Sequence, residues 1–178
     1  MKYVALLRGI NVGGKAKVEM PRLKGLFETM GCQQVLTYIN SGNVLLSDTR
    51  KISELMPLIE TAIVKEFGLH VRVLRRDLEN VSKVCREVPA TWTNDTEQKT
   101  DVLFLWDEID SQDILNKVVI NPVLEIVRYI SGALVWNIGR ANVTKGNGIK
   151  LIKTDLYKHM TGRNINNVRK LNKRMVAK

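Results

Sequence analysis

The chain has 178 residues, 44% of them hydrophobic and 26% charged, with a formal net charge of +10. That composition suits one large core or two small ones and excludes a disordered chain. The longest apolar runs, Tyr3 to Leu7 and Val102 to Trp106, are five residues each, far below the roughly 18 that a membrane-spanning helix needs; with no apolar leader after Met1, a cytoplasmic protein without a membrane partner is expected.

Taken in chain order, Tyr3 to Leu7 reads as a buried strand with Arg8 at its carboxyl end. Pro21 starts a helix whose Leu23, Leu26, Phe27 and Met30 share a face before Gly31 ends it. Val35 to Ile39 and Asn43 to Ser47 are strands joined by Asn40-Ser41-Gly42, turn chemistry suited to a hairpin. A second helix carries Ile52, Leu55, Ile59, Ile63 and Phe67, with Pro57 expected in its first turn or at a kink, and Val71 to Leu74 closes the unit as a strand. The order β-α-β-β-α-β is the split βαβ arrangement of ferredoxin-like folds.

The second half repeats most of that order. Asp77 caps a helix with Leu78, Val81, Val84 and Cys85; a polar connector carries Trp92; Asp101 to Trp106 is a strand; Ser111 starts a short helix; Glu125 to Ile130 and Ala133 to Ile138 form a hairpin. Ile149, Ile152, Leu156 and Met160, then Ile165, Val168, Leu171 and Met175, fall at helical spacing, and no final strand is evident. The fold class is α+β: two related ferredoxin-like units with antiparallel sheets, at 1–76 and 77–178, the second ending in basic helices. Trp106 and Trp136 are expected in the core and Trp92 at the surface.

Charge is unevenly spread. Through Ile138 cations and anions balance at 17 each, whereas Gly139 to Lys178 holds 11 cations and one anion. A cationic end on a neutral body reads as a footprint for an anionic partner, so Arg169, Lys170, Lys173 and Arg174 are candidates for contact with nucleic acid or another polyanion. The alternative is a solvated helix face.

Three polar loops carry the other candidates. The segment Arg8 to Lys17 holds three glycines with Arg8, Asn11 and Lys15; glycines let backbone amides converge on an anion while Arg and Lys supply charge. Its spacing is neither the Walker nor the dinucleotide pattern. Tyr38-Ile-Asn-Ser-Gly-Asn43 offers Tyr38, Ser41 and Asn43, which turn geometry alone would also explain. Thr161-Gly-Arg-Asn164, placed ahead of the last helix, offers Arg163 and Asn164 to an anion at a helix start. The expected ligand set is thus Arg8, Asn11, Gly13, Gly14, Lys15, Tyr38, Ser41, Asn43, Arg163 and Asn164, converging on one concave site.

Ala5-Leu-Leu-Arg-Gly-Ile-Asn-Val-Gly-Gly14, Tyr38-Ile-Asn-Ser-Gly-Asn43 and Thr161-Gly-Arg-Asn164 resemble the signature segments of an uncharacterised bacterial family, the domain of unknown function 1697 family, over nearly the whole chain. The third segment departs: the family has Thr-Arg-Asn-Trp, whereas this chain inserts Gly162 and has Ile165. The resemblance implies an α+β fold and a shared set of polar loops; it brings no activity, substrate or cofactor.

No catalytic constellation stands out. His70 and His159 are isolated, Cys32 and Cys85 lack metal-ligand spacing, and the acids form no recognisable dyad. No metal and no cofactor are expected. Binding of a phosphorylated small molecule or a nucleic-acid backbone is preferred; an enzyme acting on a small anionic substrate between the units, or an interaction protein with an acidic partner, are the alternatives. Reaction type and oligomeric state stay open.

Overall fold

Strand pairing organises the chain into two units, 1–78 with 174–178, and 79–173. A computed structural model describes residues 2–14 and 16–177, with the side chain of Ile52 set aside. Lys15, expected in the ligand set, and the Ile52 side chain, expected in the second helix's stripe, lie outside the described residues.

In the first unit the elements are β1 (Lys2–Leu7), α1 (Met20–Thr29), β2 (Gln33–Tyr38), β3 (Asn43–Ser47), α2 (Ile52–Phe67) and β4 (Val73–Asp77). The antiparallel sheet runs β2-β3-β1-β4. Side chains alternate across a strand, so β1 turns Tyr3, Ala5 and Leu7 onto a core with Val44, Leu46, Leu23, Phe27, Leu55, Ile59 and Ile63. β4 lies two residues later than the apolar run suggested because its register on β1 runs from Leu7↔Val73 to Tyr3↔Asp77. Pro57 sits inside α2, past the first turn. An interior proline costs about 3 kcal/mol, which the buried stripe of Leu55, Ile59 and Ile63 offsets.

The second unit contains α3 (Leu78–Glu87, from Glu79), β5 (Gln98–Leu105), α4 (Ile114–Lys117), β6 (Glu125–Ile130), β7 (Ala133–Gly139), α5 (Gly148–Leu151), β8 (Met160–Asn164) and α6 (Ile165–Ala177, as far as Lys173). Its sheet runs β6-β7-β5-β8, the same order of first, second, third and fourth strands as in the first unit. Two expectations are corrected here. A final strand is present: β8 pairs antiparallel with β5 from Asp101↔Asn164 to Leu105↔Met160, so Thr161 to Asn164 is strand rather than loop. Trp92 is buried, with the Arg128 guanidinium 4.9 Å from its ring centre. Leu103, Leu105, Leu134, Trp136 and Met160 form the core with Ile114, Val118 and Leu151.

Among the described residues no helix is long and apolar enough to cross a membrane.

Candidate functional site

The first two polar segments meet in the first unit at the end of its central strand. β1 ends where the Leu7 amide donates to the Gly42 carbonyl at 2.8 Å and the Arg8 amide to the Arg72 carbonyl at 3.0 Å. Beyond it the chain folds back on itself, the Asn11 amide donating to the Ala16 carbonyl at 3.0 Å.

The Asn11 side chain is the strut of this turn. Its Oδ1 accepts the Val18 amide at 2.8 Å, and its Nδ2 donates to the Val18 carbonyl at 2.9 Å and the Asn40 carbonyl at 2.8 Å. Asn11 thus clamps the glycine loop and ties it to the hairpin turn after β2; its amide serves the protein's own backbone. Asn43 is wholly buried, and its Nδ2 donates to the Tyr38 carbonyl at 3.1 Å and to Ser41 Oγ at 3.0 Å. Ser41 and Asn43 therefore staple the turn from within, while the Tyr38 ring carries the Arg174 guanidinium at 4.8 Å.

Between these struts the tip of the loop projects to solvent. Gly13 and Gly14 are exposed with φ of +60° and +74°, and nothing lies within 4 Å of the Cβ that either would carry. Gly42 is different. A Cβ there would stand 2.8 Å from Ile10 Cδ1 and from Leu7 Cβ, at φ +73°, so the hairpin turn and the loop pack directly against each other. Ile39 adds strain: it is 42% exposed with φ +48°, a conformation that a β-branched residue adopts only where its surroundings force it. Arg8, half-buried, and Lys17, exposed, supply positive charge at the two ends of the loop.

The third segment lies in the second unit. On β8 the register Val102↔Arg163 sends the Arg163 side chain to the face opposite that of Gly162 and Asn164. Arg163 is buried, and its Nη1 donates to Thr161 Oγ1 at 3.0 Å and to the Gly162 carbonyl at 2.7 Å. Burial pushes its guanidinium down to about 10, still charged at neutral pH. It is a residue of β8, not of the helix start that the spacing suggested. Asn164 caps α6, its Oδ1 accepting the Asn167 amide at 2.9 Å.

Along α6, Arg169 is half-buried and donates from Nη1 to the Trp92 carbonyl and from Nη2 to the Pro89 carbonyl, each at 2.9 Å. Lys170 and Lys173 are exposed.

Sequence reasoning missed a polar cavity in the second unit. Lys99 and Asp101 pair at 3.0 Å on β5, beside Arg140 and the buried Glu125. Glu125 accepts from Trp136 Nε1 and from the Asn121, Asn147 and Gly148 amides. The available signal was the period-two face of β5, which changes from Lys99 and Asp101 to Leu103 and Leu105 along one strand.

Neither cysteine is poised as a nucleophile. Burial, aided by the neighbouring Asp48, pushes the Cys32 thiol up to about 11, and burial likewise raises Cys85. Among the described residues no group of three His, Cys, Asp or Glu could hold a metal ion.

No curated protein matches this chain. Among solved structures, that of a conserved bacterial protein from Streptococcus pneumoniae is similar over 98% of each chain, with a TM-score of 0.82 and 26% identity. The family model described as protein of unknown function (DUF1697) matches residues 1–135, a span that takes in the Arg8 to Lys17 loop, the Tyr38 to Asn43 turn and all of the first unit's sheet. By that match the chain belongs to the DUF1697 family.

Proposed function

We propose that the protein binds an anionic ligand, a phosphorylated small molecule, at the tip of the glycine-rich loop of the first unit. The observation that carries this reading is the division of labour around Asn11. Its side chain holds both ends of the loop and the neighbouring turn, so the loop that carries the exposed Gly13 and Gly14 is closed at its base before any ligand arrives. Glycine amides on a loop closed in this way and flanked by Arg8 and Lys17 suit an oxyanion, because charge-assisted hydrogen bonds from a loop already brought together require less reordering.

Binding is favoured over catalysis. The loop presents backbone amides and cations, groups that hold a charge rather than move a proton.

Calorimetric titration of wild type with inorganic phosphate and with a sugar phosphate tests the reading. Arg8→Ala and Lys17→Ala should each weaken binding about tenfold or more, since a hydrogen bond to a charged group contributes roughly 1.5–3 kcal/mol. Unchanged affinity together with a large loss of stability would make Arg8 a structural strut.

A second reading rests on the exposed Lys170 and Lys173 of α6, a helix without a single acidic residue. They support backbone contact with nucleic acid, whose affinity would fall steeply with salt through counter-ion release. Absence of binding to mixed-sequence RNA or DNA at low salt would remove it.

A further inference from the structure

In the second unit the crossover from β7 to β8 leaves one end of the sheet without a helix over it. The corresponding crossover in the first unit is the 16-residue α2, which lays Leu55, Ile59 and Ile63 on its sheet. In the second unit α5 has four residues, of which Leu151 joins the core, and gives way to short turns, so on the strands the packed core takes in Leu103, Leu105, Leu134, Trp136 and Met160. The uncovered end is a cavity of about 390 Å³, within the usual range for small-molecule sites.

The residues on that face are not those of a core. The central strand of the first unit turns Tyr3, Ala5 and Leu7 inward, all buried; the central strand here turns Lys99 and Asp101 into the cavity ahead of Leu103. Charged groups on the inner face of a central strand are costly unless water or a ligand meets them.

The charges at this end are not all paired. The Glu125 carboxylate is fully engaged by one indole and three backbone N–H donors. Asp101 answers Lys99. The Arg140 guanidinium donates to the Asp95 carbonyl at 3.0 Å and to Asn94 Oδ1 at 3.2 Å, with no carboxylate in ion-pair range among the described residues. Arg140 is therefore the cation at this end without an ion-pair partner, the Asp95 carboxyl feeling its charge from beyond bonding distance. Ile138 and the half-exposed Ile152 supply an apolar wall beside it.

We infer that this cavity binds a small organic monoanion, an apolar body bearing one carboxylate, with the carboxylate held by Lys99 and Arg140 and the body against Leu103, Ile138 and Ile152. The site is separate from the glycine-rich loop and stands or falls independently of it.

The test is a ¹H–¹⁵N titration of the full chain with phenylacetate, against neutral 2-phenylethanol and cationic phenethylamine as size-matched controls. Phenylacetate should shift the Gly148, Gly162 and Asn164 amides and bind at least tenfold tighter than either control. Lys99→Gln and Arg140→Gln should each weaken it about tenfold, and Ile152→Asp should do the same by removing apolar wall and adding repulsion. Three probes of equal affinity, shifts mapping away from these amides, or a folded Arg140→Gln and Lys99→Gln that keep wild-type affinity would overturn the assignment.

Discussion

Replacing Gly42 by alanine separates two costs that glycines in this loop cluster conceal. A Cβ at Gly42 meets Ile10 Cδ1 and Leu7 Cβ at 2.8 Å, in a left-handed backbone at φ +73°. The left-handed conformation alone costs an L-residue roughly 1–2 kcal/mol. Overpacking adds typically another 1–3 kcal/mol, because Leu7 Cβ is fixed to a buried central strand and cannot move aside. Gly42→Ala should therefore lose about 2–5 kcal/mol. Gly13→Ala, at φ +60° with nothing within 4 Å of the new Cβ, should lose only about 1–2 kcal/mol. Urea denaturation reads both; with a slope of about 2 kcal/mol/M, the midpoint should fall by roughly 1–2.5 M for Gly42→Ala and by about 0.5–1 M for Gly13→Ala. Equal losses for the two variants would refute the close packing of loop on turn.

Other consequences follow from single groups. The Arg50 guanidinium, 2.6 Å from Asp48, holds the buried Asp48 carboxyl at about 2, below its ordinary 3.8. Because the folded value is depressed, this stabilisation is fully present above about pH 5 and is lost as pH falls from 3.8 toward 2; Asp48→Asn should remove roughly 1–2 kcal/mol at pH 7 and flatten the acid limb of a stability profile, the partly open Arg50 reducing the figure. Ile39→Gly should stabilise the protein by about 1 kcal/mol by relieving the backbone at φ +48°, read as a raised urea midpoint; a lowered midpoint would show that the exposed Ile39 side chain packs usefully. Arg169→Ala should cost about 1–3 kcal/mol, since it takes the Arg169 donor from the Trp92 carbonyl and leaves the Pro89 carbonyl with the Trp92 amide alone. Charge reversal at Lys170 and Lys173 should leave that stability within about 0.5 kcal/mol, as befits exposed positions.

Where a side-chain pattern follows the local period, the sequence was readable. β1, β3, β6 and β7 carry apolar alternation or a continuous apolar run, and α2 carries a regular stripe. β8 was not readable. Met160-Thr-Gly-Arg-Asn164 puts Met160, Gly162 and Asn164 on one face and Thr161 and Arg163 on the other, so nothing local marks a strand; pairing with β5 makes it one. The helical spacing of Ile149, Ile152 and Leu156 misled for the reverse reason, since turns after α5 place the same residues without a continuous helix. At the candidate site, the residue types of the glycine loop were visible but their roles were not. Asn11 suits a ligand contact as well as a strut, and only the Asn40 carbonyl, 29 positions away, makes it a strut.

The central claim is that the loop tip, with Arg8 and Lys17 at its two ends, receives the anion, and that Asn11, Ser41 and Asn43 serve the backbone instead. A ¹H–¹⁵N titration of the full chain with inorganic phosphate tests it most directly, because Gly13 and Gly14 report through resolved amide signals. Saturable shifts concentrated at Gly13 and Gly14, saturating at about tenfold higher phosphate in Arg8→Ala while the rest of the spectrum is preserved, are the predicted result. Phosphate shifts that leave both glycine amides unmoved would contradict it.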